Sequence, residues 1–143
     1  GLNLRSSPTS NPLSPNHPVV LSTRRPSASL TIGNHFSMTG GCIVAEDSIR
    51  IGNEVMVGAN CTIADTDFHP LNPERRRVAV LDGATAPIII EDNVFIGMNS
   101  LILKGVTLGA GCVIGAGSVV TRNIPAGMIA AGNPARIIKP VGE

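Results

Sequence analysis

Residues 90–125 read IEDNVFIGMNSLILKGVTLGAGCVIGAGSVVTRNIP, and counting in sixes from Ile90 puts an Ile, Leu or Val at the head of every step: Ile90, Ile96, Ile102, Leu108, Ile114 and Val120. The fifth position of the same hexads reads Val94, Ser100, Val106, Cys112, Ser118 and Ile124, so large and small residues mix along a second line. Gly follows the head position at Ile96-Gly97, Leu108-Gly109 and Ile114-Gly115. Upstream, Ile32, Met38 and Val44 keep the step; after one extra residue, Arg50, it resumes at Ile51, Val57 and Ile63, which makes twelve hexads.

A hexapeptide period predicts an all-β parallel β-helix, because no single turn can bury its own apolar side and stacked turns share one core. Three hexads close one triangular coil. Coils then stack about 4.8 Å apart, and residues eighteen apart form ladders of like side chains, with Ile96 over Ile114 as one expected rung. Small residues at the fifth position fit a narrow prism, which two large side chains facing each other at every level would overpack.

Composition fits one repeat domain. Of 143 residues, 43% are apolar; there are sixteen Gly and three Phe, with no Trp or Tyr, and the net charge is +1. That balance gives no support to a nucleic-acid role, which calls for a basic stripe with stacking aromatics. No apolar run approaches the roughly 20 residues of a membrane span. Signal-peptide architecture is absent although the chain begins at Gly1, and the expectation is a cytoplasmic protein. Cys42, Cys61 and Cys112 are read as small inward hydrophobes at fifth positions, since no CxxC or CxxH spacing occurs.

Residues 1–31 do not keep the period. Pro8, Pro12, Pro15, Pro18 and Pro26 interrupt them, Val19 to Leu21 is the only strand-like run, and the expectation is an irregular arm with a partial first coil. The β-helix is expected over 32–125, broken by a protruding loop at 69–87 that carries Arg75, Arg76 and Arg77. A loop of that length inside a repeat array is usually functional. A C-terminal segment, 126–143, follows, with Ala135 to Lys139 read as a short strand or a turn of helix.

His69 opens this excursion, within Asp65-Thr66-Asp67-Phe68-His69-Pro70. An accessible imidazole at a coil edge can act as a general base near neutral pH; the bland alternative is a loop histidine of no consequence. Asp65 and Asp67 admit two readings. Either carboxylate can orient the imidazole or hold an acceptor hydroxyl, with Asp67 favoured, or both terminate a strand through turn hydrogen bonds. Arg75 to Arg77 read as a solvated loop face, and Arg122, Arg136 and Lys139 as cations toward the C-terminal end.

The segment Ile51 to Pro70, Val94-Phe95-Ile96-Gly97, Gly105 to Gly109, Ile114 to Thr121 and Ala131-Gly132-Asn133-Pro134-Ala135-Arg136 together resemble the hexapeptide-repeat acyltransferases, closest to the maltose and galactoside O-acetyltransferases and their polysaccharide-modifying relatives. The resemblance covers residues 32 to 139. It implies a left-handed β-helix, an exception to the right-handed crossover preference, and a homotrimer with active sites between subunits. It further implies acetyl-CoA as co-substrate, no metal, and a sugar or glycan-precursor acceptor.

On this resemblance His69 matches the catalytic base, Asp67 and Phe95 the acceptor side, and Gly97, Met98, Ala116, Thr121, Arg122, Arg136 and Lys139 the cofactor side. Two departures stand out. Met98 replaces a family serine, leaving its backbone N–H for the oxyanion. Residues Phe36 to Gly41 lack the asparagine that binds the acceptor in the family. N-acetyl transfer to an amino sugar is the alternative within the class. Outside it stand a γ-carbonic-anhydrase-like zinc hydratase, for which His17, His35 and His69 lack the HxxxxH pair, and a non-catalytic trimeric scaffold.

Overall fold

The computed structural model describes residues 1–13 and 15–142. The chain winds as a left-handed parallel β-helix with three faces. The first face stacks Asn3–Arg5, Ser37–Thr39, Met56–Val57, Phe95–Ile96, Val113–Ile114 and Met128–Gly132, then turns back antiparallel through Ala135–Pro140. The second stacks Val20–Thr23, Cys42–Ala45, Thr62–Ala64, Leu101–Ile102 and Val119–Val120, and the third Ser29–Ile32, Ser48–Ile51, Ile88–Ile90 and Thr107–Leu108.

Three interior columns carry the core. Met38, Val57, Ile96, Ile114 and Ala130 lie in register on the first face, Ile43, Ile63, Ile102 and Val120 on the second, and Ile32, Ile51, Ile90 and Leu108 on the third. From Ile88 onward every head position and every fifth position of the hexads is buried, Ser100 and Ser118 included. Both serines donate to coil carbonyls, Ser100 Oγ to Gly97 O at 2.7 Å and Ser118 Oγ to Gly115 O at 2.5 Å, so their burial leaves no hydroxyl unpaired. Each fully buried Ile contributes about 1.5–3 kcal/mol of transfer free energy.

Corners explain the recurrent Asn and Gly. Asn60, Asn99 and Gly117 take left-handed backbone angles at the edge between first and second faces, and Asn93 and Gly111 do so between third and first. That conformation costs most side chains about 1–2 kcal/mol, with Asn and Gly the tolerant types. Gly97 serves closeness instead: a Cβ there would stand 2.5 Å from the backbone N of Ala116 in the next coil.

The structure departs from the sequence reading in three places. In the upstream block Ile43, not Val44, pairs with Ile63, because Ile43 stands five positions after Met38 and Ile51 eight positions after Ile43. The Gly40-Gly41 corner is tight and the extra residues fall in the corner at Glu46-Asp47, so the added length does not sit at Arg50. Cys42 consequently lies on the outward side, half-buried, with its Sγ donating to Thr62 Oγ1 at 3.6 Å. Second, residues 1–31 contribute a strand to each of the three faces rather than a single short run. Third, the protruding loop contains a helix, Pro73–Val78.

Candidate active site

The loop leaves the second face after Ala64 and returns at Ile88 on the third, so it springs from the edge between them. Its base is closed by the antiparallel bridge of Thr66 with Thr85 and by Ala86 N donating to Asp65 O at 3.0 Å. Asn72 caps the helix, its side chain accepting from Arg75 N at 2.9 Å. All three arginines are engaged within the loop: Arg75 pairs with Asp82, Arg76 Nη1 donates to Pro70 O at 3.1 Å, and Arg77 stands 3.8 Å from Glu74.

His69 is exposed at the start of this loop. Its backbone N donates to Asp67 O at 2.7 Å, and its ring Nδ1 lies 2.5 Å from the carbonyl O of Val80. A carbonyl only accepts, so Nδ1 carries the hydrogen and Nε2 keeps the lone pair. The ring is therefore held in the tautomer suited to taking a proton at Nε2.

The neighbouring acids do other work. Asp65, fully buried, accepts Glu46 N at 2.8 Å and Asp47 N at 2.9 Å, tying that corner to the loop base. Asp67 Oδ1 lies 2.9 Å from Lys104 Nζ, which joins the loop to the next coil, and its buried Oδ2 has no partner among the described residues. The Asp67 carboxylate is thus turned to Lys104 rather than to the imidazole. Lys104 was not singled out from the sequence; it sits at the corner one coil beyond the loop, and only the fold brings it to Asp67.

The remaining candidates divide between two edges and one strand. Gly97, Met98 and Ala116 stack at the edge between first and second faces, with Phe95 beside them on the first face, 43% exposed and in register with Met56 and Val113. Thr121 and Arg122 lie exposed at the other edge, the one that bears His69. Arg136 and Lys139 are exposed on the final antiparallel strand. Within one chain, the second face separates His69 from Met98.

Two hollows flank these groups. One of about 490 Å³ lies under the loop and is lined by Arg25, Asp67, Asn72, Arg75, Asp82 and Thr85. The other, about 380 Å³, lies on the first face among Arg5, Asn11, Thr39, Met56 and Phe95. Among the described residues no three His, Cys, Asp or Glu side chains are grouped to hold a metal ion; His35 is 3.3 Å from Glu54, and His17 Nδ1 lies 3.0 Å from Pro18 O and 3.2 Å from Gly41 N. Burial raises the Cys61 thiol and pushes Cys112 up to about 11, with Glu91 adding to the latter.

A triangular left-handed prism with one histidine-bearing loop defines a class, and comparison with known proteins gives its family. A profile of the hexapeptide repeat of succinyl-transferase matches residues 41–64 and 87–122. Galactoside O-acetyltransferase of Escherichia coli is 36% identical over 117 residues, 81% of this chain and 56% of that protein. A maltose O-acetyltransferase from Clostridium difficile superposes with a TM-score of 0.68 at 32% identity, covering 87% of this chain and 67% of the other. A hexapeptide-repeat-containing acetyltransferase of Vibrio cholerae complexed with acetyl coenzyme A gives 0.77 at 31% identity, covering 88% and 66%. The chain belongs to the hexapeptide-repeat acyltransferase family. It spans about half the length of the galactoside O-acetyltransferases that it matches.

Proposed function

We propose that this protein is an acetyl-CoA-dependent O-acetyltransferase that modifies a hydroxyl of a sugar or glycan precursor, with His69 as general base. The observation that carries the reading is the His69 ring, exposed and anchored through Nδ1 to the Val80 carbonyl so that Nε2 is free to take a proton. Similarity to galactoside and maltose O-acetyltransferases supports the acceptor class, and similarity to a protein complexed with acetyl coenzyme A supports the co-substrate.

In this scheme the acceptor hydroxyl loses its proton to Nε2 as its oxygen attacks the thioester carbonyl. The tetrahedral oxyanion collapses to an ester and a CoA thiolate, which takes the proton back from the imidazolium. No covalent bond to the protein forms. Proximity supplies much of the rate, and proton transfer about 10²–10⁴-fold. Gly97, Met98, Ala116, Thr121, Arg122, Arg136 and Lys139 form the cofactor side of the proposal, with the Met98 amide as oxyanion donor; Phe95 and Asp67 form the acceptor side.

The separation of His69 from Met98 by a whole face of the prism supports a homotrimer, in which the loop edge of one copy meets the Met98 edge of another. The test is release of free CoA thiol from acetyl-CoA with galactosides, maltose and amino sugars as acceptors. Acceptor-dependent release with a hydroxyl acceptor is expected. Transfer restricted to amines overturns the O-acetyl reading, and no release with any acceptor overturns the enzyme reading for these classes.

A further inference from the structure

We infer that Glu46 is a positioning residue for His69, acting from the corner between the second and third faces; this rests on the reading of His69 as the base. Glu46 is a carboxylate only 6% exposed. Such burial requires partners, and the partners lead to the histidine.

Two routes run from Glu46 to Phe68, the residue before His69. Along the first, Thr66 Oγ1 donates to Glu46 Oε2 at 3.1 Å and accepts from Phe68 N at 2.9 Å. A threonine hydroxyl has one hydrogen; committing it to the carboxylate aims a lone pair at the Phe68 amide. Along the second, Glu46 holds Arg24 at 3.4 Å and Arg25 at 3.1 Å, and the Arg24 guanidinium lies over the Phe68 ring, 5.6 Å from its centroid. Phe68 itself sits at φ +61°, a conformation that a bulky residue adopts only when its surroundings impose it. Glu46 thus fixes both the amide and the ring of a strained residue whose next neighbour is the base.

Glu46 directly follows the strand Cys42–Ala45 at the corner between the second and third faces, and Asp65 secures that corner by accepting Glu46 N and Asp47 N. The parallel register that pairs Val44 with Ala64 carries on beyond the strands to set Glu46 beside Thr66.

The direct test is ¹⁵N NMR of the histidine rings in full-length protein, with Glu46→Gln and Thr66→Val as variants. Wild-type His69 is expected as a single Nδ1–H tautomer. In both variants a mixture of tautomers is expected, with His35 signals unchanged as the folding control and Thr66→Ser restoring the wild-type pattern. With acetyl-CoA and a galactoside, Glu46→Gln is expected to lower kcat about tenfold and leave KM for acetyl-CoA unchanged, with no further loss in a His69→Ala background. A Glu46→Gln protein whose His69 ring signals match the wild type overturns the proposal. If His69→Ala keeps full turnover, the base reading fails by itself, and the tautomer pattern still decides the role of Glu46.

Discussion

At the residue scale, side-chain burial follows the hexad count wherever the count is unbroken and fails where a corner changes length. Cys61 and Cys112 lie inside as their positions imply, while Cys42 lies half outside. With the Cys112 thiol pushed up to about 11 and that of Cys61 also raised, both stay protonated at pH 8; the thiolate is the reactive form. Treatment of the native protein with iodoacetamide at pH 8 is therefore expected to modify Cys42 alone by mass spectrometry, and all three thiols after unfolding. Rapid native labelling of Cys112 would contradict the interior assignment. The sequence disclosed His69 as the residue to watch but not its support. Glu46, Arg24 and Lys104 look like ordinary surface charges until a coil stacks them against the loop.

At the element scale, corners decide how closely coils approach. Gly97 and Gly117 lie at the same edge, between the first and second faces, but they do different things. Gly97 leaves room for Ala116 of the next coil, whereas Gly117 supplies φ +70° with nothing near its missing side chain. Gly117→Ala is expected to cost about 1–2 kcal/mol from backbone strain alone. Gly97→Ala must push two coils apart and is expected to cost about 3 kcal/mol. Urea midpoints at constant slope measure both, and equal losses would contradict the packing argument. The N-terminal strands were hidden for a related reason: Ser-, Pro- and Asn-rich stretches carry little hydrophobic period, and the edges of the coils above recruit their backbone hydrogen bonds. The place of the extra length was hidden because Ile43 and Val44 are both apolar: the count shows one residue too many before Ile51 but not that it lies in the corner at Glu46-Asp47.

At the scale of the whole molecule, the prism was legible because its period runs through about half of the chain, whereas the proposed site is divided between edges that one chain cannot bring together. A homotrimer predicts a sedimentation mass of three times the 14.7 kDa chain; a monomer at working concentration would leave the loop edge and the Met98 edge apart and contradict the shared site. The proposed acetyl transfer turns on the imidazole anchored to Val80. Its most direct test is acetyl-CoA turnover by His69→Ala with the best acceptor of the panel, run beside the wild type at matched oligomeric state. A loss of about 10²–10⁴-fold with the sedimentation mass unchanged is the predicted result, and turnover within a few-fold of wild type would contradict it.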